Sequence, residues 1–88
     1  MIDAKTAALK ARNYLVEIVG IQPENATIEE VEVNETDNIV LITLGYWVSM
    51  QQFPMVMPTK QKEYKVFKVD RDSGEVLSMK IRSVDVNK

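Results

Sequence analysis

Eighty-eight residues, 45% of them hydrophobic and 27% charged, make one globular domain (1–88) with a thin core. The chain holds neither cysteine nor histidine, which removes disulfide staples, thiol chemistry, and the commonest general base and zinc ligand. A formal charge of -2 argues against a dedicated nucleic-acid binder, whose domain is usually basic, and no nucleic-acid partner is expected.

In chain order, Asp3 can cap a helix by accepting a bond from a free N–H of its first turn. Ala4 to Val19 contains neither glycine nor proline, and Ala4, Ala7, Ala8, Ala11, Leu15 and Ile18 fall on one helical face. Gly20 stands where a left-handed C-terminal cap is expected, and Pro23 prevents continuation. Small alanines let such a helix lie close to a sheet.

The period then changes. Thr27–Asn34 reads as a strand with Val31 and Val33 on one side and Glu30 and Glu32 on the other; Ile28 is out of phase, which predicts a bulge near Glu29. Glu35-Thr36-Asp37-Asn38 is a turn. Ile39–Met50 is the strongest strand, with Val40, Ile42, Leu44, Tyr46 and Val48 on one face and Ile39, Leu41, Thr43, Gly45 and Trp47 on the other. Pro54 and Pro58 cannot donate to a ladder, so Met50–Gln61 reads as a long hairpin tip. Lys62–Asp70 and Glu75–Ser83 form the last two strands around an Asp72-Ser73-Gly74 turn, with Leu77, Met79 and Ile81 facing one way and Ser78, Lys80 and Arg82 the other. The predicted fold class is α+β: one N-terminal helix packed on a four-stranded antiparallel meander, in the order α-β-β-β-β.

The last hairpin carries a resemblance. An alanine-rich helix followed by strands ending in Tyr64-Lys65-Val66, Val69-Asp70 and Ser73-Gly74-Glu75-Val76-Leu77 resembles PepSY domains, and the element order is similar to the broader cystatin-like arrangement. The resemblance implies a domain of secreted or membrane-linked bacterial proteins that inhibits or regulates peptidases. A cystatin-type Gln-x-Val-x-Gly segment is absent, so inhibition of papain-like enzymes is not implied.

Catalytic chemistry finds no foothold. The serines have no histidine to activate them, Gly20, Gly45 and Gly74 are too scattered for a phosphate loop, and Glu30 and Glu32 sit on a solvated strand face. Asp70, Asp72 and Glu75 cluster at one turn, where aspartate ordinarily bonds its own backbone; a calcium site needs six to eight oxygens. No catalytic residue, metal or cofactor is expected. Lys68, Lys80 and Arg82 fall on the outer sheet face near Tyr64, with Glu30 and Glu32 at its opposite edge.

The sharper signal is apolar. Met50, Phe53, Met55, Val56 and Met57 place three of the five methionines in one tip, and methionine recurs at adaptable binding surfaces. Trp47 falls on the face away from the helix, where an exposed tryptophan is a typical interface anchor. These six residues are the candidate partner-binding set of a non-enzymatic interaction domain, whose partner is another protein or a second copy. A homodimeric scaffold with stacked strand faces is the alternative, and a small-ligand carrier with a cavity lined by Tyr14, Tyr46 and Phe67 is a third. No secretory leader or bilayer-long apolar run is visible, so no membrane insertion is expected and the cytoplasm is the default location; prior removal of a leader or anchor would instead imply an extracytoplasmic one.

Overall fold

The computed structural model describes residues 1–50 and 59–82. Helix α1 (Ala4–Val19) begins at Asp3, whose carboxylate accepts the Thr6 N–H at 2.8 Å, and ends at Gly20 with φ +82°. Both ends therefore stop where their capping chemistry requires. That hydrogen bond holds the Asp3 carboxyl below its usual pKa. A short 3-10 turn at Pro23–Asn25 leads into the sheet.

The strands are β1 (Ala26–Asn34), β2 (Ile39–Met50), β3 (Thr59–Asp70) and β4 (Val76–Ile81), all antiparallel, in the spatial order β1-β2-β3-β4. This is the α+β meander expected from the pattern. Residues directly opposite on antiparallel strands share a face, so register assigns the sides. Val31 faces Ile42 and Val33 faces Val40 on the helix side, while Glu30 faces Thr43 and Glu32 faces Leu41 on the outer side. The register slips between Ile28 and Glu30, which puts the bulge at Glu29.

The core lies between α1 and the inner faces of β2 and β3. Ala7, Ala8, Ala11 and Leu15 meet Val40, Ile42, Leu44, Tyr46, Phe67 and Val69. Three alanines bring the helix close, and the large side chains come from the sheet. Tyr14 sets its ring edge-on against Phe67, with centroids 6.2 Å apart and planes at 79°. Tyr46 and Phe67, two of the three rings named for a ligand cavity, are buried in the packed cluster, and Tyr14 is partly buried against it.

Four sequence expectations shift. Ile18, assigned to the packed face, is 59% exposed, because the last helical turn lies beyond the core cluster. The third strand starts at Thr59 and not Lys62: Thr59–Gln61 pair with Met50–Val48, so the ladder extends into the stretch read as tip. The last strand is Val76–Ile81: it begins one residue after Glu75 and stops before Arg82, and Ser83 lies outside the described residues. Its register slips at Leu77, since Val76 faces Val69 and Ser78 faces Lys68; Leu77 and Ile81 are exposed, and only Val76 and Met79 pack on the core.

The ends of the hairpins are tied by short local bonds. Asp70 accepts the Asp72 N–H and Ser73 accepts the Glu75 N–H, which is turn chemistry. Gly74 has φ +76° and is buried beneath Lys10 of α1. Arg71 donates its N–H to Asn38 O, and Ile2 donates to Arg71 O at 2.8 Å.

Candidate functional site

One end of the sheet is a two-stranded ribbon. The β1–β2 ladder stops at Ala26 and Tyr46, and the β3–β4 ladder stops at Lys65 and Ile81, with Arg82 N–H still donating to Tyr64 O. The β2–β3 ladder continues to Met50 and Thr59. Among the described residues, β2 therefore runs about 13 Å past its β1 partner, at about 3.3 Å per residue.

Asn25 sets where β1 stops. Its side-chain amide donates to Trp47 O at 3.0 Å and its carbonyl oxygen accepts the Trp47 N–H at 3.3 Å. The side chain thus stands in for the backbone of a neighbouring strand and satisfies β2 for one more residue. Trp47 itself lies on the outer face and is 48% exposed.

Beside it, Lys62 is held between rings and a carboxylate. Its Nζ lies 5.7 Å from the ring centroids of both Trp47 and Tyr64 and 2.7 Å from Glu29 Oε2. Thr27 Oγ1 donates to the same Glu29 carboxylate. The bonds from Lys62, then Thr27, hold the Glu29 carboxyl below its usual pKa, and the bond to Glu29 raises that of Lys62. A lowered carboxyl is the opposite of what a general acid needs at neutral pH.

Gly45 makes the space for this pair. A Cβ there would stand 2.7 Å from Lys62 Cε and 2.9 Å from Glu29 Oε2. The bulge at Glu29, the missing side chain at Gly45 and the rings of Trp47 and Tyr64 together lay Lys62 flat on the sheet.

Arg82 forms a second strap. Its NH1 donates to Glu30 Oε1 at 2.9 Å and to Thr43 Oγ1 at 2.8 Å, and Thr43 is only 3% exposed. The acidic and basic sides of the outer face are therefore bridged within one molecule. On the helix side of the same end, Tyr46 donates its hydroxyl to Glu63 Oε1 at 3.1 Å, and burial followed by this bond raises the Tyr46 pKa.

Where β4 stops, a half-open hollow of about 310 Å³ is lined by Lys62, Tyr64, Lys65 and Arg82 with Ile81 and Glu63. It sits at the small end of ligand pockets, roughly 300–1,000 Å³, and is charged where those are mostly apolar. Among the described residues, no three carboxylates converge as a metal cage requires. No helix of those residues is long and apolar enough to cross a membrane.

Of the six candidate binding residues, Trp47 is on the ribbon's outer face and Met50 is the last residue of β2. Phe53, Met55, Val56 and Met57 lie outside the described residues. Sequence reasoning missed Asn25, Glu29, Gly45 and Lys62 as neighbours of Trp47. The predicted bulge and the glycine on an outer strand face were the available signals. No family model, curated protein or solved structure matches the chain.

Proposed function

We propose that this is a non-enzymatic interaction domain that docks a partner protein at the β2–β3 ribbon, with Trp47 as its anchor. The observation that supports the reading is the placement of Trp47. It is the chain's one tryptophan, half exposed, at the root of a ribbon that runs past both neighbouring strands. Large, partly exposed aromatic side chains carry most of the energy at protein interfaces. Asn25 and Lys62 fix its backbone and one side of its ring, so little conformational freedom is left to lose on docking. Met50, Phe53, Met55, Val56 and Met57 follow directly in sequence and supply adaptable apolar contact. The PepSY-like hairpin suggests a peptidase as the partner.

The test compares wild type, Trp47→Ala and a variant whose residues 52–58 are replaced by a short Asn-Gly turn. Each is immobilised and exposed to purified candidate peptidases, and inhibition is measured in parallel. The reading expects both variants to keep the wild-type melting temperature and to lose binding at least about tenfold, the equivalent of 1.4 kcal/mol. Binding that survives both changes would remove the ribbon as the docking site.

A further inference from the structure

The two outer edges of the sheet are unlike, and they match each other. Edge strand β1 carries exposed Ile28, Val31 and Val33 on the helix side and exposed Glu30 and Glu32 on the outer side. Edge strand β4 carries exposed Leu77 and Ile81, the latter 78% exposed, with Lys80 and Arg82 on the outer side. Neither Glu32 nor Lys80 forms an ion pair among the described residues. Unpaired edge strands are templates for another chain, and large apolar side chains left beside them add to that tendency.

We infer that β1 of one copy adds to β4 of a second copy, head to tail, so that this chain assembles with itself through its sheet edges. Topology supplies the orientation. In a four-stranded antiparallel meander the first and last strands run in opposite directions. A second copy placed alongside in the same orientation therefore offers its β1 antiparallel to β4, with both helices on one side of the joined sheet. Opposed residues then share a face. One register sets Lys80 against Glu32 of the second copy, Ile81 against Val31 and Met79 against Val33, so at these three pairs opposite charges meet and apolar side chains meet.

Charge also selects against the symmetric alternatives. Pairing β1 with β1 brings Glu30 and Glu32 together from both copies, and pairing β4 with β4 brings the Lys80 side chains together; like charges directly opposite are unfavourable. A contact between two different edges does not close after two copies, so it builds rings or open chains. This contact uses neither Trp47 nor the ribbon, and its failure leaves the proposed docking site untouched.

Sedimentation of the full chain over a range of concentrations tests the inference, with Glu32→Lys and Lys80→Glu as variants. The wild-type weight-average mass is expected to rise past twice the 10.0 kDa protomer and to fall with added salt. Each single variant sets like charges against each other at the 32/80 pair and is expected to associate at least about tenfold more weakly. An equimolar mixture restores both contacts and is expected to recover the wild-type mass. A mass that stays at the protomer, a plateau at the dimer, or a mixture that fails to recover would overturn the inference. Should either variant fail to fold, hydrogen exchange on the wild type decides. Amides of β1 and β4 are expected to slow between dilute and concentrated samples, and unchanged exchange would overturn the proposal. Trp47→Ala is expected to assemble as the wild type does; loss of assembly there would overturn the edge assignment.

Discussion

The middle of the sheet and its margins are made of similar residues held in different ways. Ile42, Leu44 and Phe67 on β2 and β3 are fully buried under the alanine face of α1. Val31 and Val33, one strand away on the same side of the same sheet, are roughly two-fifths exposed. Hydrophobicity alone does not separate the two groups; the width of one helix does. A single helix about 10 Å across cannot cover four strands spaced about 4.8 Å apart. The outer face is managed differently again, by Lys62 and Arg82 lying across it. The centre is held by packing and the margins by chemistry that water can reach.

Truncation should show this contrast most strongly. Phe67→Ala is expected to cost about 3–5 kcal/mol, a large share of the roughly 5–15 kcal/mol that holds a small domain. Val33→Ala, on the exposed margin, is expected to cost less than about 1 kcal/mol. Urea midpoints measured side by side check the pair; similar losses would erase the distinction between centre and edge.

A smaller effect separates the two glycines of positive φ. Alanine at either position meets the left-handed backbone penalty of about 1–2 kcal/mol. At Gly74 the new Cβ also stands 2.8 Å from Lys10 Cε, whereas at Gly20 nothing lies within 4 Å. Gly74→Ala is therefore expected to lower the melting temperature further than Gly20→Ala, by the cost of moving Lys10.

The straps should matter less. Arg82→Ala is expected to cost about 1 kcal/mol, since the ion pair is exposed but the Thr43 hydroxyl beneath it is not. Thr43→Val in the same background should recover part of that loss, and a double-mutant cycle reads the coupling.

The weakest effect expected is that of pH. Asp3 and Glu29 have lowered pKa values in the fold, so their contribution is present above the ordinary carboxylate range and is lost as pH falls through the lowered values. Lys62 and Tyr46 are raised, so theirs is present below the ordinary lysine and tyrosine values and is lost as pH rises through the raised ones. Denaturant midpoints should be flat between these ranges and decline on both sides. In Lys62→Met the acid-side decline from Glu29 should shrink.

The helix and the meander were legible because their signals are local. Asp3 and Gly20 end α1 on chemistry within three or four residues, and the bulge at Glu29 shows as one out-of-phase isoleucine. The site was less legible because its contacts are distant in sequence. Asn25 reaches Trp47 across 22 positions and Arg82 reaches Glu30 across 52. Periodicity assigned the faces of β2 correctly, missed the slip at Leu77 in β4, and carried no measure of how far the helix covers a face, which is why Ile18 lies in water. It also placed the start of the third strand late, because the prolines at 54 and 58 do not show how far the ladder runs toward them.

The bond from Ile2 to Arg71 O has a consequence for how the chain reaches this state. Every strand pair in the sheet joins sequence neighbours, so the ladders zip through short loop closures. Among the described residues, the bond from Ile2 to Arg71 O spans the most sequence, so α1 must find the far hairpin across nearly the whole chain. Docking of the helix is thus the costly closure, expected late on the folding path. Conservative truncations of Leu15 should chiefly speed unfolding, while those of Ile42 in the central hairpin should slow folding. Equal effects on both rates from both positions would place the clasp and the hairpin in one concerted step.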